Sequence, residues 1–272
     1  MAYPSRGAWL FCCSLLLCMA GWSSAWASDS TSDEWTFTVA PYLWAVGMNG
    51  DVGVAGIKTS VNDSFIDIMQ DSDSVMAFMG DFSASKGPWS FFVSPTWAKL
   101  GSDDESFGPI KADITQTITI IGFGARYRLA EWSLADAPGG SPAWANQMFT
   151  FDLLAGGRYT HLDIELDFKR IGNRDKSKDW VDPFVGAVTQ IGLTDKLSFR
   201  VRGDVGGFGV GSDITVNAVG LLGYKVRPFG LDGTLAAGYR ALYQDYTDGS
   251  GRNKFTWNMT LHGPVLGLAV TF

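Results

Sequence analysis

The strongest constraint on the fold is that apolar residues recur at every second position through most of the chain beyond residue 33. In the stretch "LSFRVRGDVGG" (197–207), leucine, phenylalanine and valine occupy one face, while serine, arginine and aspartate occupy the other. This period is typical of β-strands with unlike faces. The apolar faces extend over about 10 residues, the length a strand needs to cross a bilayer, whereas ordinary strands average about 5 to 6. The pattern therefore predicts an all-β, transmembrane, antiparallel up-and-down β-barrel with apolar residues facing lipid and charged residues lining the lumen.

Ten strands fit both this pattern and the connections between its segments. Short turns such as "KGP" and "LTDK" alternate with longer charged segments such as "SDDESFGP" and "KRIGNRDKSK", as expected for periplasmic turns and external loops. Residues 49–73 are predicted to form an external insertion with a small hairpin and a short helix capped by Asn62 or Asp63. Twelve strands is the alternative if this hairpin joins the wall, and eight is a further alternative. The predicted strands lie near 34–47, 74–86, 88–101, 110–129, 147–168, 178–193, 196–210, 213–227, 231–246 and 254–272.

The first 27 residues are predicted to be a cleaved signal peptide, with one arginine, a short apolar run and small residues before the cut. Residues 28–272 then form a single exported domain, located in the outer membrane of a Gram-negative cell. All three cysteines lie in the leader, which excludes disulfides and thiolate metal sites from the exported chain. No ligand pattern indicates a metal or cofactor, and none is predicted. The formal charge of −7 argues against a nucleic-acid partner, because such binding depends on basic residues.

The last strand is predicted to close the barrel against the first, with Phe272 in the periplasmic ring of aromatic residues. Gly263 and Pro264 are predicted to form a bulge, because the apolar positions change parity between "FTWNMTL" and "LGLAVTF". A similar change of parity after Tyr159 predicts either a bulge or an extension of that strand above the membrane.

Charged residues on the lumen face are predicted to form a paired network that fills the barrel, because unpaired buried charge is costly. A ring of charges that selects ions in a small pore is the alternative reading. The short helix of the insertion is predicted to fold over the external mouth as a lid, with its apolar side chains buried. The network is assigned to Asp81, Arg126, Asp152, Arg158, Asp182, Arg200, Arg202, Asp204, Lys225 and Arg240, and the lid to Phe65, Ile66, Ile68 and Met69.

Catalysis has little support in the sequence, because no nucleophile or orienting partner can be placed beside either histidine. We predict no catalytic residue and a non-enzymatic, monomeric barrel that is structural or a narrow, low-conductance, porin-like pore. One alternative is a barrel hydrolase that uses His161 or His262. Another is a surface-binding protein that acts through its external loops. The expected surroundings of the barrel are outer-membrane lipid and lipopolysaccharide.

Four motifs carry a family resemblance: "PYLW" (41–44), "DWVDPFVG" (179–186), "RGDVGGFGVGSD" (202–213) and "LHGPVLGL" (261–268). Together they resemble a family of uncharacterised proteobacterial outer-membrane β-barrel proteins. The resemblance implies the fold and the location, and it brings no activity, ligand or catalytic residue. A terminal phenylalanine after alternating apolar residues also resembles the signature that the barrel insertion machinery recognises, which implies this machinery as a partner of the Phe272 strand.

Overall fold

The computed structural model describes residues 34–54, 57–72, 74–107, 110–136, 140–141, 147–168 and 172–272. The predicted signal peptide, residues 1–27, lies outside this part of the chain. The described part contains twelve strands and one short α-helix, α1. In chain order they are β1 Thr36–Trp44, β2 Gly47–Val54, β3 Ile57–Asp63, α1 Phe65–Asp71, β4 Ser74–Lys86, β5 Trp89–Phe107, β6 Ile110–Ser133, β7 Met148–Phe168, β8 Gly172–Gly192, β9 Leu197–Gly207, β10 Ile214–Val226, β11 Asp232–Asp248 and β12 Phe255–Thr271.

Ten of these strands form a closed antiparallel barrel, which confirms the predicted fold class and strand number. The ring runs β1, β4, then β5 to β12 in sequence order, and β12 pairs with β1 to close it. The predicted hairpin of the insertion is β2–β3. It joins the sheet by pairing with the first half of β12, from Gly47 opposite His262 to Val54 opposite Phe255, but it stays outside the ring.

The closing seam lies at the end of the barrel that we call the base. Phe37 and Phe272 exchange backbone hydrogen bonds of 2.8 and 2.9 Å, and their rings stack with centroids 6.2 Å apart. The turn at Gly87 and the turn at 193–196 lie at this same end, and the opposite end is called the top. The terminal phenylalanine is therefore fixed by the first strand, as expected for a closing strand.

The predicted bulge at Gly263 and Pro264 is wrong. The pairing of β11 with β12 keeps one register from Asp232 opposite Thr271 to Asp248 opposite Phe255. The pairing of β7 with β8 is equally continuous, so the parity change after Tyr159 marks an extension of the strand and not a bulge. The backbone keeps its alternation in both strands, and what changes along each strand is the environment of its two faces.

Two zones explain this change of environment, and β12 shows both. In the base zone, residues 263–272, outward side chains are apolar, and Leu266 is 52% exposed. In the top zone, residues 255–262, the inward side chains Trp257 and Met259 are buried, while Thr260 and His262 face outward. The barrel therefore has an apolar exterior near the base and an apolar interior near the top.

The strands at the top are longer than the sequence indicated. β5 continues to Phe107 and β8 begins at Gly172, so the segments predicted as long charged loops are largely strand. α1 follows β3 and is capped by Ser64, whose hydroxyl accepts from Asp67 N–H at 3.2 Å while the Asp67 carboxylate accepts from Ser64 N–H at 2.9 Å. The predicted caps, Asn62 and Asp63, are wrong because they pair with β2 as the last residues of β3. Among the described residues, no helix has the length and apolarity needed to cross a membrane.

Candidate functional site in the barrel lumen

The charged network of the base zone is centred on Asp204, which lies buried on β9. Its carboxylate accepts hydrogen bonds from Arg158 of β7, from Arg202 at 3.1 Å and from the Asn217 amide at 2.8 Å. Arg158 also donates to Thr215 at 2.8 Å, and both side chains are buried. Two guanidinium groups thus share one carboxylate, and the neutral Asn217 amide completes its hydrogen bonding.

A chain of hydrogen bonds through Arg240 extends this network across the lumen. Arg240 donates to Asn217 Oδ1 and to the Tyr42 hydroxyl, both at 3.1 Å, and Tyr42 in turn bonds Thr96 at 3.1 Å. The Arg240 guanidinium also lies 4.3 Å from the centre of the Trp44 ring. Strands on opposite sides of the barrel are therefore connected, which stiffens the lumen.

A second cluster arises from a bulge in β6. Arg128 pairs with Asp152 of β7 and with Glu131 of its own strand. The register of β6 against β7 shifts between Arg128 and Ala130, so that Arg128 and Glu131 face the same side despite their odd spacing. Sequence reasoning missed both residues. Arg128 shares the parity of Arg126 and could have been assigned to the lumen network. Glu131 faces the lumen only because of the bulge, and no glycine or proline in the sequence indicates a bulge there.

Three charged residues assigned to the network have no ion-pair partner among the described residues. Asp81 accepts from the Ser94 hydroxyl at 2.5 Å and makes no ion pair. Arg126 and Arg200 also lack an ion-pair partner, and Nε of Arg126 is buried without a hydrogen bond. Lys225 has the inward parity but is exposed at the base, away from the network.

Asp182 is buried on the lumen face but has a different role from the one assigned to it. Its carboxylate accepts from the Ser212 backbone at 2.5 Å, from the Ser212 hydroxyl at 2.9 Å and from the Trp180 indole at 3.1 Å. Ser212 belongs to the tight β9–β10 connection, in which even Phe208 has a positive φ of 51°. Asp182 therefore fixes this strained turn against the barrel.

The lumen of the top zone is filled by apolar side chains, which sequence reasoning missed. Leu242, Met259 and Ile120 are 0%, 1% and 2% exposed and belong to one cluster drawn from seven strands. Trp44 and Trp257 lie in the same cluster, and their indole nitrogens are buried without a hydrogen bond. The cluster lies inside the barrel above the charged network.

Strands β8 and β11 meet above the short β9–β10 turn. The rings of Trp180 and Tyr246 stack with centroids 4.1 Å apart and planes inclined by 6°. Above them, Lys178 donates to Asp248 at 2.5 Å. This hydrogen bond lowers the pKa of Asp248 below its ordinary value and raises the pKa of Lys178 above its own. We call these four residues the top clasp.

Helix α1 does not cover the mouth as a buried lid. None of its residues is buried, and Phe65, Ile66 and Met69 are each more than 40% exposed, with Ile68 half-buried. The helix packs instead beside the β2–β3 hairpin, close to Gly47. The expected burial of its apolar face is therefore wrong, because Phe65, Ile66 and Met69 remain exposed beside the hairpin.

The two histidines lie on the outward face of different strands. His262 accepts or donates through Nδ1 to the Tyr239 hydroxyl at 2.7 Å, and His161 stacks against Tyr159 while its Nδ1 is buried without a partner. No serine hydroxyl or carboxylate bonds either ring among the described residues. In the same part of the chain, no group of three or more histidine, cysteine or acidic residues is placed to hold a metal ion.

A closed up-and-down barrel with an apolar exterior and a charged lumen is the architecture of integral outer-membrane β-barrels. No protein-family model and no curated protein matches the chain. Among solved structures, the chain is similar to Ail, the attachment invasion locus protein of Yersinia pestis, in complex with the heparin analogue sucrose octasulfate, at 10% identity and a TM-score of 0.38, covering 88% of this chain and 98% of that one. It is also similar to a FadL homologue of Pseudomonas aeruginosa, at 11% identity and a TM-score of 0.24, covering 88% and 89%. These similarities concern the fold alone.

Proposed function

We propose that the protein is a non-enzymatic, integral outer-membrane barrel with a closed lumen, which serves as a structural element of the membrane and not as an open pore. The observation that carries this proposal is the apolar cluster of the top zone. Leu242 and Met259 are almost fully buried at its centre, directly above the charged network. Water and ions would have to cross both fillings in series.

The exterior supports placement in a membrane. Large apolar side chains such as Leu43, Leu153 and Leu266 are exposed around the base zone, as expected for a surface that faces lipid. Aromatic side chains gather near the base, where Trp132 stacks on Phe149 with centroids 4.2 Å apart. Girdles of aromatic residues are typical of the boundary between lipid and water in such barrels.

Conductance in a planar lipid bilayer tests the proposal. We expect purified wild-type protein to insert without discrete current steps, because no continuous aqueous path crosses the top zone. The double variant L242A/M259A should show current steps, since it removes two side chains from the centre of the filling. L266A is the matched control: it shortens a side chain of the same type on the outer face and should remain silent. Stable, discrete channels in the wild type would refute closure and favour the narrow-pore alternative.

A surface-binding protein is the second candidate, because helix α1 exposes Phe65, Ile66 and Met69 outside the barrel. Exposed apolar groups of this kind mark contact sites. Replacing all three by serine should leave assembly intact under either candidate. Loss of lipopolysaccharide binding by this variant would favour the second candidate, whereas unchanged binding would leave the helix without this role.

A further inference from the structure

Strands β1 and β4 stop pairing with each other before either strand reaches its upper end. Their ladder runs from Thr36 opposite Ser85 to Pro41 opposite Gly80. Above Gly80, residues 74–79 of β4 are paired with β5 on one side only. Six residues of strand extend over about 20 Å, so a long stretch of β4 has an unpaired edge.

The other side of the wall is continuous at this height. β1 and β2 follow β12 in one register, with Trp44 opposite Val265 and Gly47 opposite His262. Helix α1 begins beside Gly47, because a Cβ atom on this glycine would lie 3.6 Å from the backbone nitrogen of Phe65. The ladder between β1 and β4 therefore ends below the place where the helix begins.

These elements enclose a gap in the wall that we call the lateral window. Its two sides are residues 42–46, at the end of β1, and residues 74–79 of β4. The last pair of the ladder, Pro41 opposite Gly80, forms its lower border, and α1 lies at its upper border.

The inner side of the β4 edge is not covered by other parts of the protein. Val75 and Ala77 have the lumen parity of Met79, which is 9% exposed and belongs to the apolar cluster. Val75 is 36% exposed, however, and Ala77 is also exposed. The lumen space in front of these two residues is therefore accessible.

Both the outer and the inner surroundings of the window are apolar. On the outer face, Leu43 of β1 and Met76 and Phe78 of β4 are each more than half exposed, so the window opens within the surface that faces lipid. The lumen-facing side chains of its two edges carry no charge; they are Tyr42, Trp44, Val46, Val75, Ala77 and Met79.

The β1 edge also presents polar backbone groups to the window. Phe37 and Ala45 direct their backbone N–H groups to β12, so the alternation of an antiparallel ladder directs those of Tyr42 and Trp44 to the window. The indole nitrogen of Trp44 is buried without a hydrogen bond. Donors of this kind are costly to leave beside pure hydrocarbon, so a molecule bound here must supply oxygen atoms as well as an apolar chain.

We propose that the lateral window binds one acyl chain of a membrane glycerolipid. The chain lies against Val75, Ala77 and Met79, and the ester oxygens accept hydrogen bonds from the N–H groups at the Trp44 edge. The surrounding bilayer supplies this ligand at the place where the window opens. The site is independent of whether the lumen conducts, because the chain enters from the side.

Cysteine pairs test the window itself, because the chain has no native cysteine beyond residue 27. Val39 and Phe82 lie directly opposite each other in the ladder, whereas Ala45 and Met76 would do so only if the ladder continued above Gly80. A disulfide needs Cα atoms about 4.4–6.8 Å apart. In heat-modifiable, folded barrels, we expect V39C/F82C to oxidise and A45C/M76C to remain reduced. Equal disulfide formation in both variants would overturn the proposal.

Quenching by brominated lipid tests the occupant. A bimane label is attached to the single-cysteine variant A77C, and the barrel is inserted into phosphatidylcholine vesicles whose acyl chains carry bromine. L266C, on the lipid-facing surface, is the quenched control, and A236C, with the lumen parity of Arg240 on β11, is the unquenched control. A77C should lose about as much fluorescence as L266C does, because an acyl chain lies against it. Fluorescence of A77C that remains like that of A236C would overturn the proposal and indicate a window filled by water.

A competition measurement tests the ester oxygens. The brominated lipid is diluted with unbrominated phosphatidylcholine whose chains are linked by either ester or ether bonds. The ester-linked diluent should restore the fluorescence of A77C more strongly than the ether-linked one, because only ester linkages carry carbonyl acceptors. Both diluents should act equally on L266C. Equal action on A77C would overturn the assignment of the ester oxygens to the Trp44 edge.

Discussion

Replacing Asp204 by asparagine should destabilise the barrel strongly, although the two side chains have nearly the same shape. Asp204 accepts from Arg158, from Arg202 and from Asn217, and it is buried. The substitution removes the one negative charge that the two guanidinium groups share. Breaking a buried ion pair by removing one partner costs about 3–5 kcal/mol, so we expect the free energy of unfolding to fall by about this amount.

Chemical unfolding of the barrel in phospholipid vesicles, followed by tryptophan fluorescence, measures this change. D232N is the matched control. Asp232 also pairs with an arginine, Arg227, at 3.7 Å, but both side chains are more than 80% exposed. Exposed ion pairs contribute little, so D232N should unfold as the wild type does.

A double variant separates lost charge from lost shape. Arg158 lies between Asp204 and the Phe184 ring, 5.0 Å from the ring centre, so R158M keeps much of its apolar contact. D204N/R158M should regain part of the stability lost in D204N, because one of the two uncompensated charges is gone. The reasoning is refuted if D204N unfolds like the wild type, or if D232N loses as much as D204N.

Three further predictions concern the two zones and the seam. L266R should cost about 2–4 kcal/mol because it places a charge in the lipid-facing band, whereas T260R on the same face of the top zone should be tolerated in the same unfolding assay. Lowering the pH should loosen the top clasp: the pKa of Asp248 is lowered from 3.8, so its contribution is present above pH 3.8 and is lost as the pH falls through the folded-state value. Because the pKa of Lys178 is raised from 10.5, its contribution is present below pH 10.5 and is lost as the pH rises through the folded-state value. Hydrogen exchange in β8 and β11 measures both changes, and the variant D248N should show neither of them. Deleting Phe272 removes two backbone bonds to the first strand, and the yield of heat-modifiable barrel should fall; an unchanged yield would contradict its role in closure.

The alternation of side chains was sufficient to predict the barrel, its ten strands and the faces of most residues. It placed Arg158, Arg202 and Asp204 on the lumen face because a strand carries this information locally. It did not reveal that Arg158 and Asp204 are partners, since they lie 46 positions apart and meet only through the curvature of the wall. Which charges remain unpaired was equally invisible, because it depends on the neighbours that the register supplies.

Asp182 shows a different limit of sequence reasoning. Its parity correctly placed it inside the barrel, but its partner is the turn residue Ser212 and not a cation. The need for this contact comes from the short β9–β10 connection, whose backbone takes positive φ values at Gly207, Phe208 and Gly209. Three donors satisfy the hydrogen bonding of this buried carboxylate, as is usual for a polar group inside a protein.

The change of polarity along β12 has one physical cause that the sequence pattern alone could not distinguish from a bulge. A strand that rises out of lipid into water must exchange the polarity of its two faces, because its outward side chains then meet water. Below Gly263 the apolar residues point outward, and above it they point inward, with the register unbroken. Once several neighbouring strands make this exchange, their inward apolar side chains can be buried only against one another across the lumen. The apolar filling of the upper lumen therefore follows from this exchange of faces, and a lumen without it would expose Leu242, Trp257 and Met259 to water.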